Sequence, residues 1–329
     1  MTRLAFTGAR IMTPDQVLFG STLLVNAGRI NAIVSNNEIP EDYEPINLED
    51  NWLLPGFIDI HVHGGGGYDT SDGTVEAIRG LADYHLKFGT TAIYPTCVTH
   101  QRKVMLQALY AVEKAMAEED LNRRVLGLHL EGPYLSKERA GAQNPEYIML
   151  PKQDDYRQYL DHPALKLMTI APEIEGMEDL LEYGLKKGIY FAAGHSSADY
   201  EQGMAGFALG ISQVSHLYNA MTGLDRRHPG LSAAALVHKD AKAQLICDGI
   251  HVHPAMIKLA MGTKEANGTI LITDALRGPA PDETSFTMGE LEVEDRDGAY
   301  YLNDGTLAGS KLTMVDALSN AIKLGGVAL

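Results

Sequence analysis

Six residues with the chemistry of metal ligands stand at the ends of apolar stretches in this sequence. They are His61, His63, Glu131, His195, His216 and Asp274. His61 and His63 alternate around Val62, so on a β-strand both imidazoles project from one face, about 7 Å apart. Imidazole and carboxylate are ordinary ligands of divalent cations. An isolated His-x-His pair also occurs in ordinary cores, so a metal site requires that the fold bring the six together.

The two carboxylates suit different tasks. Glu131 is followed by Gly132-Pro133, which ends the strand, so its carboxylate can ligate one cation or bridge two. Asp274 closes an apolar stretch and is placed to take a proton from attacking water and return it to a leaving group. A helix cap or salt bridge is the alternative for Glu131, and an N-cap or plain ligand is the alternative for Asp274. His129 lies deeper on the same strand, and we expect it in the core.

The candidates for anion binding follow the later strands. One is the loop 218–221, another is the basic pair Arg226 and Arg227, and a third is His251. Guanidinium, imidazole and loop amides together suit a phosphate. A solvated surface pair is an equally good interpretation of the two arginines. The glycines at 64–67 match neither a phosphate loop nor a dinucleotide fingerprint, and we expect them to let backbone approach the metal or substrate.

The elements that must position these residues alternate between strand and helix after residue 53. Apolar strands are predicted to end near His63, Cys97, Glu131, Pro172, His195, His216, Asp248 and Asp274. Helical patterns separate several of them, at 75–88, 101–119, 177–187, 199–208 and 254–261. This order predicts an α/β fold with a closed (β/α)8, TIM-type barrel over residues 53–329. Because active sites of such barrels lie at the carboxyl ends of the strands, the candidate ligands should share one rim.

Both ends of the sequence depart from this alternation. Residues 1–52 are predicted to form a small, β-sandwich-like module with strands at 4–12 and 21–34 and a turn at 26–29. Near the other end, residues 285–304 predict a hairpin. Ser310 is the expected N-cap of a helix that runs to about Lys323.

Composition excludes several classes of partner. A net charge of −16 and a pI near 5.1 disfavour nucleic acid and anionic membranes, so an anionic substrate needs a local cluster of donors. No apolar stretch approaches 18 residues and no signal pattern opens the chain, which predicts a cytoplasmic protein. Cys97 and Cys247 are too few for a disulfide framework and are expected as buried free thiols.

The motifs together resemble those of the N-acetylglucosamine-6-phosphate deacetylase family, within the amidohydrolase superfamily. They occur in the same order through nearly the whole chain: PGFIDIHVH (55–63), HLEGP (129–133), GH (194–195), SHLYNAM (215–221), DGIH (248–251) and ITDA (272–275). LEGP and HLYNAM are specific to the deacetylase, whereas His-x-His is common to the superfamily.

The resemblance implies a metal-dependent removal of the acetyl group from N-acetylglucosamine 6-phosphate, giving glucosamine 6-phosphate and acetate. It implies that Glu131, His195 and His216 hold the principal metal and that Asp274 is the general base and acid. The residues implied to bind the sugar phosphate are Asn219, Ala220, Arg227 and His251. Arg227 is preferred over Arg226 by alignment with the motif. The resemblance also implies a homodimer, in which Arg227 could serve the neighbouring subunit's site.

Departures from the family pattern sharpen these expectations. Some members lack the first-strand histidines and keep one metal; here both are present, which favours a second ion held by His61 and His63 with Glu131 bridging. The ligand types suit zinc first, with iron, manganese or cobalt compatible. Gln143 stands where some members place a histidine that polarises the acetyl carbonyl, so either Gln143 or the second metal takes that task.

Family members also continue into strands that complete the β-module, so the chain is expected to be truncated at its C-terminus and the module incomplete. Two alternatives to the deacetylase remain open. One is another amidohydrolase acting on a cyclic amide or an N-acyl amino compound. The other is an inactive relative that binds sugar phosphate.

Overall fold

Short strands joined by tight turns make up the first of two units of the chain, Met1–Gly56. The computed structural model describes residues 2–278 and 285–326. The strands of this unit are β1 (Arg3–Thr7), β2 (Arg10–Met12), β3 (Val17–Leu18), β4 (Ser21–Asn26), β5 (Arg29–Ser35), β6 (Glu44–Asn47) and β7 (Trp52–Leu53). They form two sheets, with strand orders β5-β4-β1-β6 and β3-β2-β7. The predicted turn joins β4 to β5, and Ala27 and Gly28 take positive φ there.

The second unit, Phe57–Leu329, alternates strands and helices. Its strands are β8 (Phe57–Val62), β9 (Gly64–Gly65), β10 (Tyr68–Asp69), β11 (Thr90–Cys97), β12 (Leu128–Glu131), β13 (Leu165–Ile170), β14 (Tyr190–Ala193), β15 (Gln213–Val214), β16 (Lys242–Ile246), β17 (Thr269–Ile272), β18 (Ser285–Met288), β19 (Leu291–Arg296), β20 (Ala299–Leu302) and β21 (Leu307–Gly309). Its helices are α1 (Val75–Leu86), α2 (Arg102–Ala117), α3 (Gln153–Leu160), α4 (Met177–Lys186), α5 (Tyr200–Ala208), α6 (Leu231–Val237), α7 (Pro254–Gly268) and α8 (Met314–Gly325).

Eight of these strands confirm the predicted barrel. They lie side by side and parallel in chain order, from β8 and β11 through to β17. The ring closes just beyond the strands, where the Asp274 amide donates to His61 O and the His63 amide donates to Ala275 O, both at 2.9 Å. Each predicted strand end is present, so the carboxyl ends of the strands form one rim, as in other TIM barrels.

The helices pack apolar faces against the barrel. Helix α1, for example, begins after Thr74, whose hydroxyl accepts the Ala77 amide, and it buries Ile78 and Leu81. The five predicted helices are all present, whereas α3 and α6 were not predicted. Helix α3 is mostly polar and buries only Tyr156, Tyr159 and Leu160, and α6 is only seven residues long, so neither gives a clear helical period.

The predicted hairpin near the end of the chain is larger than expected. Strands β18 to β21 form a four-stranded antiparallel sheet inserted between β17 and α8, which we call the inserted sheet. The prediction that Ser310 caps the last helix is wrong. Thr313 is the N-cap. The Ser310 hydroxyl instead donates to Thr273 O and accepts the Leu312 amide. The bond to Thr273 ties the end of the inserted sheet to the end of β17.

Within the described ranges, no helix is long and apolar enough to cross a membrane. Cys97 and Cys247 are free and buried, as predicted. Burial raises the pKa of both thiols to about 12, so neither is poised to react as a thiolate.

Candidate metal centre and substrate cavity

Five barrel strands deliver the six candidate ligands to one point on the carboxyl rim. His61 lies in β8 and His63 follows it, while Glu131 ends β12. The other three each stand two residues beyond a strand, at His195 after β14, His216 after β15 and Asp274 after β17. All six residues are buried. The structure therefore brings together every residue predicted as a metal ligand, together with the predicted base.

Glu131 occupies the middle of the cluster. Its Oε1 lies 3.2 Å from His61 Nε2, 3.3 Å from His195 Nε2 and 3.0 Å from His216 Nε2. Its Oε2 lies 3.4 Å from His63 Nε2. Asp274 Oδ1 lies 3.2 Å from His63 Nε2 and 3.5 Å from His61 Nε2. The two carboxylates thus face four imidazole nitrogens at close range.

The other ring nitrogen of each histidine fixes its tautomer. His63 Nδ1 lies 3.1 Å from Thr96 O, and His61 Nδ1 lies 3.1 Å from Gln244 Oε1. His195 and His216 make the same kind of contact, to Arg139 O and Asn219 O at 3.0 and 3.2 Å. Because these backbone and side-chain oxygens accept, each ring carries a hydrogen on Nδ1, and Nε2 is the nitrogen that faces the carboxylates and can ligate a metal ion.

This donor set fits a metal ion. Nε2 faces a carboxylate oxygen favourably only when a proton or a metal ion lies between the two atoms, and the buried His61 Nε2 has no hydrogen-bond partner among the described residues. Two overlapping groups have ligand atoms close enough to share an ion: His61 with Glu131 and His216, and His61 with His63 and Asp274. Imidazole and carboxylate ligands of this kind bind divalent transition metals.

The charges of the cluster are strongly coupled. Burial lowers the pKa of His63, but its hydrogen bonds to Asp274 and Glu131 have the larger combined effect and raise that pKa to about 10. Burial likewise opposes the negative charge of Glu131 and Asp274, yet the surrounding histidines, His61 first, hold both pKa values well below their usual range. Both carboxylates are therefore ionised at neutral pH and attract a cation.

Backbone strain is concentrated at this rim. His195, His216 and Asp274 have φ of 46°, 29° and 51°, a left-handed conformation that non-glycine residues rarely adopt. Tyr218 and Ala220, in the loop after His216, also have positive φ. Each such residue costs about 1–3 kcal/mol and persists only where surrounding structure enforces it, which is common at functional sites.

The cluster forms the floor of a cavity of about 190 Å³. Four residues predicted to bind substrate line it as well, namely Gln143, Asn219, Ala220 and His251. The inserted sheet and its turns complete the lining with residues that the sequence did not indicate: Met288, Thr306, Leu307 and Ala308. These residues are apolar or small and lie far along the chain from most of the metal motifs. The predicted hairpin at 285–304 was the one sequence signal near them, and it did not indicate that they line the site.

Gln143 is held against Glu131. Its side-chain oxygen accepts the Thr99 amide at 2.8 Å, which turns its amide nitrogen toward Glu131 Oε2, to which it donates. Arg227, by contrast, is exposed and does not line the cavity. His129 is buried below the cluster, as predicted, and contacts the hydroxyls of Thr96 and Thr169.

The glycines after the first strand are used differently from the prediction. They do not form an open loop toward the metal, because Gly64 and Gly65 belong to β9, which pairs with β10. A Cβ at Gly64 would lie 2.5 Å from the backbone of both Arg277 and Tyr68. Glycine is required there by close packing against the segment that follows Asp274.

Comparison with known proteins agrees with this geometry. The sequence profile of the Amidohydrolase family matches residues 52–324. The chain belongs to the amidohydrolase family. Amidohydrolases are metal-dependent, and the resemblance seen in the motifs is thereby confirmed.

Individual relatives narrow the comparison. The N-acetylglucosamine-6-phosphate deacetylase of Vibrio furnissii is 36% identical, over 89% of this chain and 73% of the relative. The N-acetylgalactosamine-6-phosphate deacetylase of Escherichia coli O157:H7 is 34% identical, over 97% of this chain and 83% of the relative. The crystal structure of N-acetylglucosamine-6-phosphate deacetylase from Pasteurella multocida superposes with a TM-score of 0.94 at 32% identity, covering 99% of this chain and 86% of that one.

Proposed function

We propose that this amidohydrolase removes the acetyl group from N-acetyl-D-glucosamine 6-phosphate, giving D-glucosamine 6-phosphate and acetate. The observation that carries the proposal is the convergence of four histidines on Glu131 and Asp274 at the barrel rim, with each Nε2 turned inward. The similarity to deacetylases acting on 6-phosphorylated amino sugars supplies the substrate class.

The bound cation, Asp274 and Gln143 have separate roles in the proposed reaction. A divalent cation, when bound, supplies a Lewis acid that lowers the pKa of water and polarises an amide carbonyl. Asp274, ionised and on the cavity wall, accepts the proton of the attacking water. It then returns that proton to the amine nitrogen, without which an amide does not leave. Gln143 has a second amide hydrogen that can reach toward the acetyl oxygen.

The remaining lining residues suit the sugar phosphate. We propose that Asn219 and Ala220 hold the sugar and that His251 contacts the phosphate, since all three line the cavity with the cluster. Arg227 lies outside the cavity of its own chain, so its proposed role at the phosphate requires the neighbouring subunit of a homodimer.

The metal content, compartment and division of labour are part of the proposal. Glu131 presents different oxygens to different histidines, which supports two ions per subunit; zinc is our first choice, with iron, manganese or cobalt compatible. Catalysis is assigned to residues 53–329, with residues 1–52 as an accessory module. The cytoplasm remains the predicted compartment, and two buried free thiols are consistent with it.

A second candidate substrate is N-acetylgalactosamine 6-phosphate. The relative in E. coli O157:H7 named for that sugar is 34% identical and covers nearly the whole of this chain. The two sugars differ only at C4, so the metal cluster and the phosphate contacts do not discriminate between them.

A deacetylation assay on the purified, metal-analysed protein tests the proposal. We expect turnover of N-acetylglucosamine 6-phosphate with a higher kcat/KM than the galacto epimer, and a large loss of kcat/KM without the 6-phosphate. A preference for the galacto epimer would transfer the assignment to the second candidate. Indifference to the phosphate would favour an amidohydrolase of other N-acyl or cyclic amides, and no turnover by a metal-loaded protein would indicate an inactive sugar-phosphate-binding relative.

A further inference from the structure

Asp248 and His251 form a close pair in the loop after β16. Asp248 Oδ1 accepts the backbone amides of Ile250 and His251, both at 2.8 Å, and so forms a tight turn. Its second oxygen, Oδ2, lies 2.5 Å from His251 Nδ1. Since a carboxylate only accepts, the ring carries its hydrogen on Nδ1, and the orientation of the imidazole is fixed.

The other nitrogen of His251 has no partner in the described part of the chain. The His251 side chain is only 4% exposed, it lines the substrate cavity, and its Nε2 is buried without a hydrogen bond. Leaving such a group unsatisfied is unfavourable, so an unpartnered atom on a cavity wall indicates a place for a ligand atom.

The cavity has little other means of binding an anion. Its described lining contains no lysine or arginine, and its other titratable residues belong to the metal cluster: His63, Glu131, His195, His216 and Asp274. The chain as a whole carries a net charge of −16, so its long-range field repels phosphate. Apart from the Arg227 proposed to come from a neighbouring subunit, an anionic substituent in this cavity depends on a local donor, and His251 is the one imidazole in the described lining that lies outside the metal cluster.

We infer that Asp248 is a positioning residue that fixes His251 as the phosphate donor that this chain supplies to its own cavity. By accepting from Nδ1, the Asp248 carboxylate points Nε2 at the cavity, and its negative charge offsets the positive charge of a ring that donates from both nitrogens, to Asp248 and to a phosphate. Charge-assisted hydrogen bonds of this kind are about twice as strong as neutral ones. The inference rests on the proposed function for the identity of the substrate and adds the residue that prepares its phosphate contact.

The variant Asp248→Asn separates the two roles of the carboxylate, which are to stabilise the turn and to orient the His251 ring. Its amide oxygen can still accept the Ile250 and His251 amides, so the turn is preserved. Its NH2 group, however, faces His251 Nδ1 and donates to it, which leaves the ring neutral with a hydrogen on Nε2. We expect the Kd for glucosamine 6-phosphate, measured by isothermal titration, and the KM for the acetylated substrate both to rise about tenfold, with kcat within about twofold of wild type.

Three comparisons keep the test specific. The KM for N-acetylglucosamine, which has no phosphate, should not change. Asp199→Asn is the matched control, because Asp199 is exposed and also accepts a backbone amide, that of Gln202, as the N-cap of α5; this variant should bind like wild type. In a His251→Gln background, adding Asp248→Asn should have no further effect on affinity, since Asp248 acts through the ring.

Several outcomes would overturn the inference. They are wild-type affinity of Asp248→Asn or of His251→Gln for glucosamine 6-phosphate, a full effect of Asp248→Asn in the His251→Gln background, or a fall in kcat at constant KM. Failure of the proposed function is distinguishable, because it appears in the wild-type protein as absent deacetylation. Binding of glucosamine 6-phosphate by wild type and variants still tests the pair in that case.

Discussion

At the level of single residues, the two carboxylate oxygens of Glu131 have different partners. Oε1 faces His61, His195 and His216, whereas Oε2 faces His63 and accepts from Gln143. A carboxylate shared in this way can bridge two cations. Gln143, itself fixed by the Thr99 amide, holds the carboxylate in the orientation that keeps the two sets of partners apart.

Replacing Asp274 by asparagine tests the acid–base step. The amide keeps the shape and an oxygen that can ligate a metal, but it cannot accept a proton from water. We expect kcat to fall by about 10²–10⁴-fold, with metal content and KM near those of wild type. Steady-state kinetics with metal analysis of the same preparation measure both. A variant that retains metal and turns over normally would remove Asp274 from the mechanism.

The raised pKa of His63 predicts proton release when metal binds. In the metal-free protein this pKa is about 10, so at pH 7 the ring holds a proton that a metal ion must displace. The apparent affinity for Zn²⁺ should therefore rise between pH 6 and 8.5, by about tenfold per pH unit for each proton displaced. Isothermal titration in buffers of different ionisation enthalpy counts those protons.

The variant His63→Gln is the control for that count, since it should release one proton fewer than wild type. A Zn²⁺ affinity that does not change with pH, together with no proton release, would contradict the predicted charge state of the metal-free cluster.

The sequence predicted the identity of the cluster residues better than their geometry. Period-two alternation places His61 and His63 on one face, and that inference needs no tertiary information. The left-handed backbone at His195, His216 and Asp274 has no such signal, because histidine and aspartate do not by themselves require positive φ. Packing at the rim enforces it, so the approach of these side chains to Glu131 could be read only from the structure.

At the level of elements, the inserted sheet is what turns an open rim into a cavity. Met288 and residues 306–308 line the site from β18 and from the segment around β21. The turn between β18 and β19 touches the barrel through Glu290, which accepts from Tyr147 Oη at 2.5 Å and from Gln101 Nε2 at 2.9 Å. These exposed contacts hold the turn beside the residues that line the cavity.

Loss of the Glu290 carboxylate should loosen the inserted sheet. Exposed hydrogen bonds contribute about 1 kcal/mol or less, so we expect Glu290→Ala to raise KM by roughly two- to fivefold. Metal content should not change, and amide hydrogen exchange should quicken in β18 and β19. Glu292→Ala is the matched control, because Glu292 is also exposed but accepts from Asn303, in the turn between β20 and β21, and makes no contact with the barrel in that bond. Equal effects of the two variants would show that the barrel contact of Glu290 has no special role.

Elements were predictable where apolar periodicity was strong. The eight barrel strands are short apolar stretches that end in polar residues, and all eight were predicted. Helices α3 and α6 were missed because one is polar and the other is short and rich in alanine. The prediction for Ser310 was wrong because a serine shortly before a helical pattern resembles an N-cap. In the structure the Ser310 hydroxyl donates to Thr273 O, and the N-cap is Thr313, three residues further along the chain.

At the level of the whole molecule, the cluster connects strands that are far apart in the chain. His61 and Asp274 are separated by more than 200 residues, and between them the ligands come from β8, from β12 and from the loops after β14, β15 and β17. Without a cation, the same point concentrates two ionised carboxylates and strained backbone. A bound ion therefore stabilises the folded barrel selectively, because the unfolded chain has no such arrangement of ligands.

Removal of the metal should consequently lower the thermal stability of the whole barrel. At a metal concentration 1,000 times Kd the stabilisation is about 4 kcal/mol, which corresponds to a fall in Tm of about 7 °C on chelation for a unit of this size. Differential scanning calorimetry before chelation, after it, and after adding back Zn²⁺ measures the change. Glu131→Gln should show almost no response to chelator or Zn²⁺, since it loses the carboxylate that faces all four histidines of the cluster. A Tm that stays constant while metal analysis records the loss would mean that the cluster is held together by the protein alone, and that the ion serves the chemistry without supporting the fold.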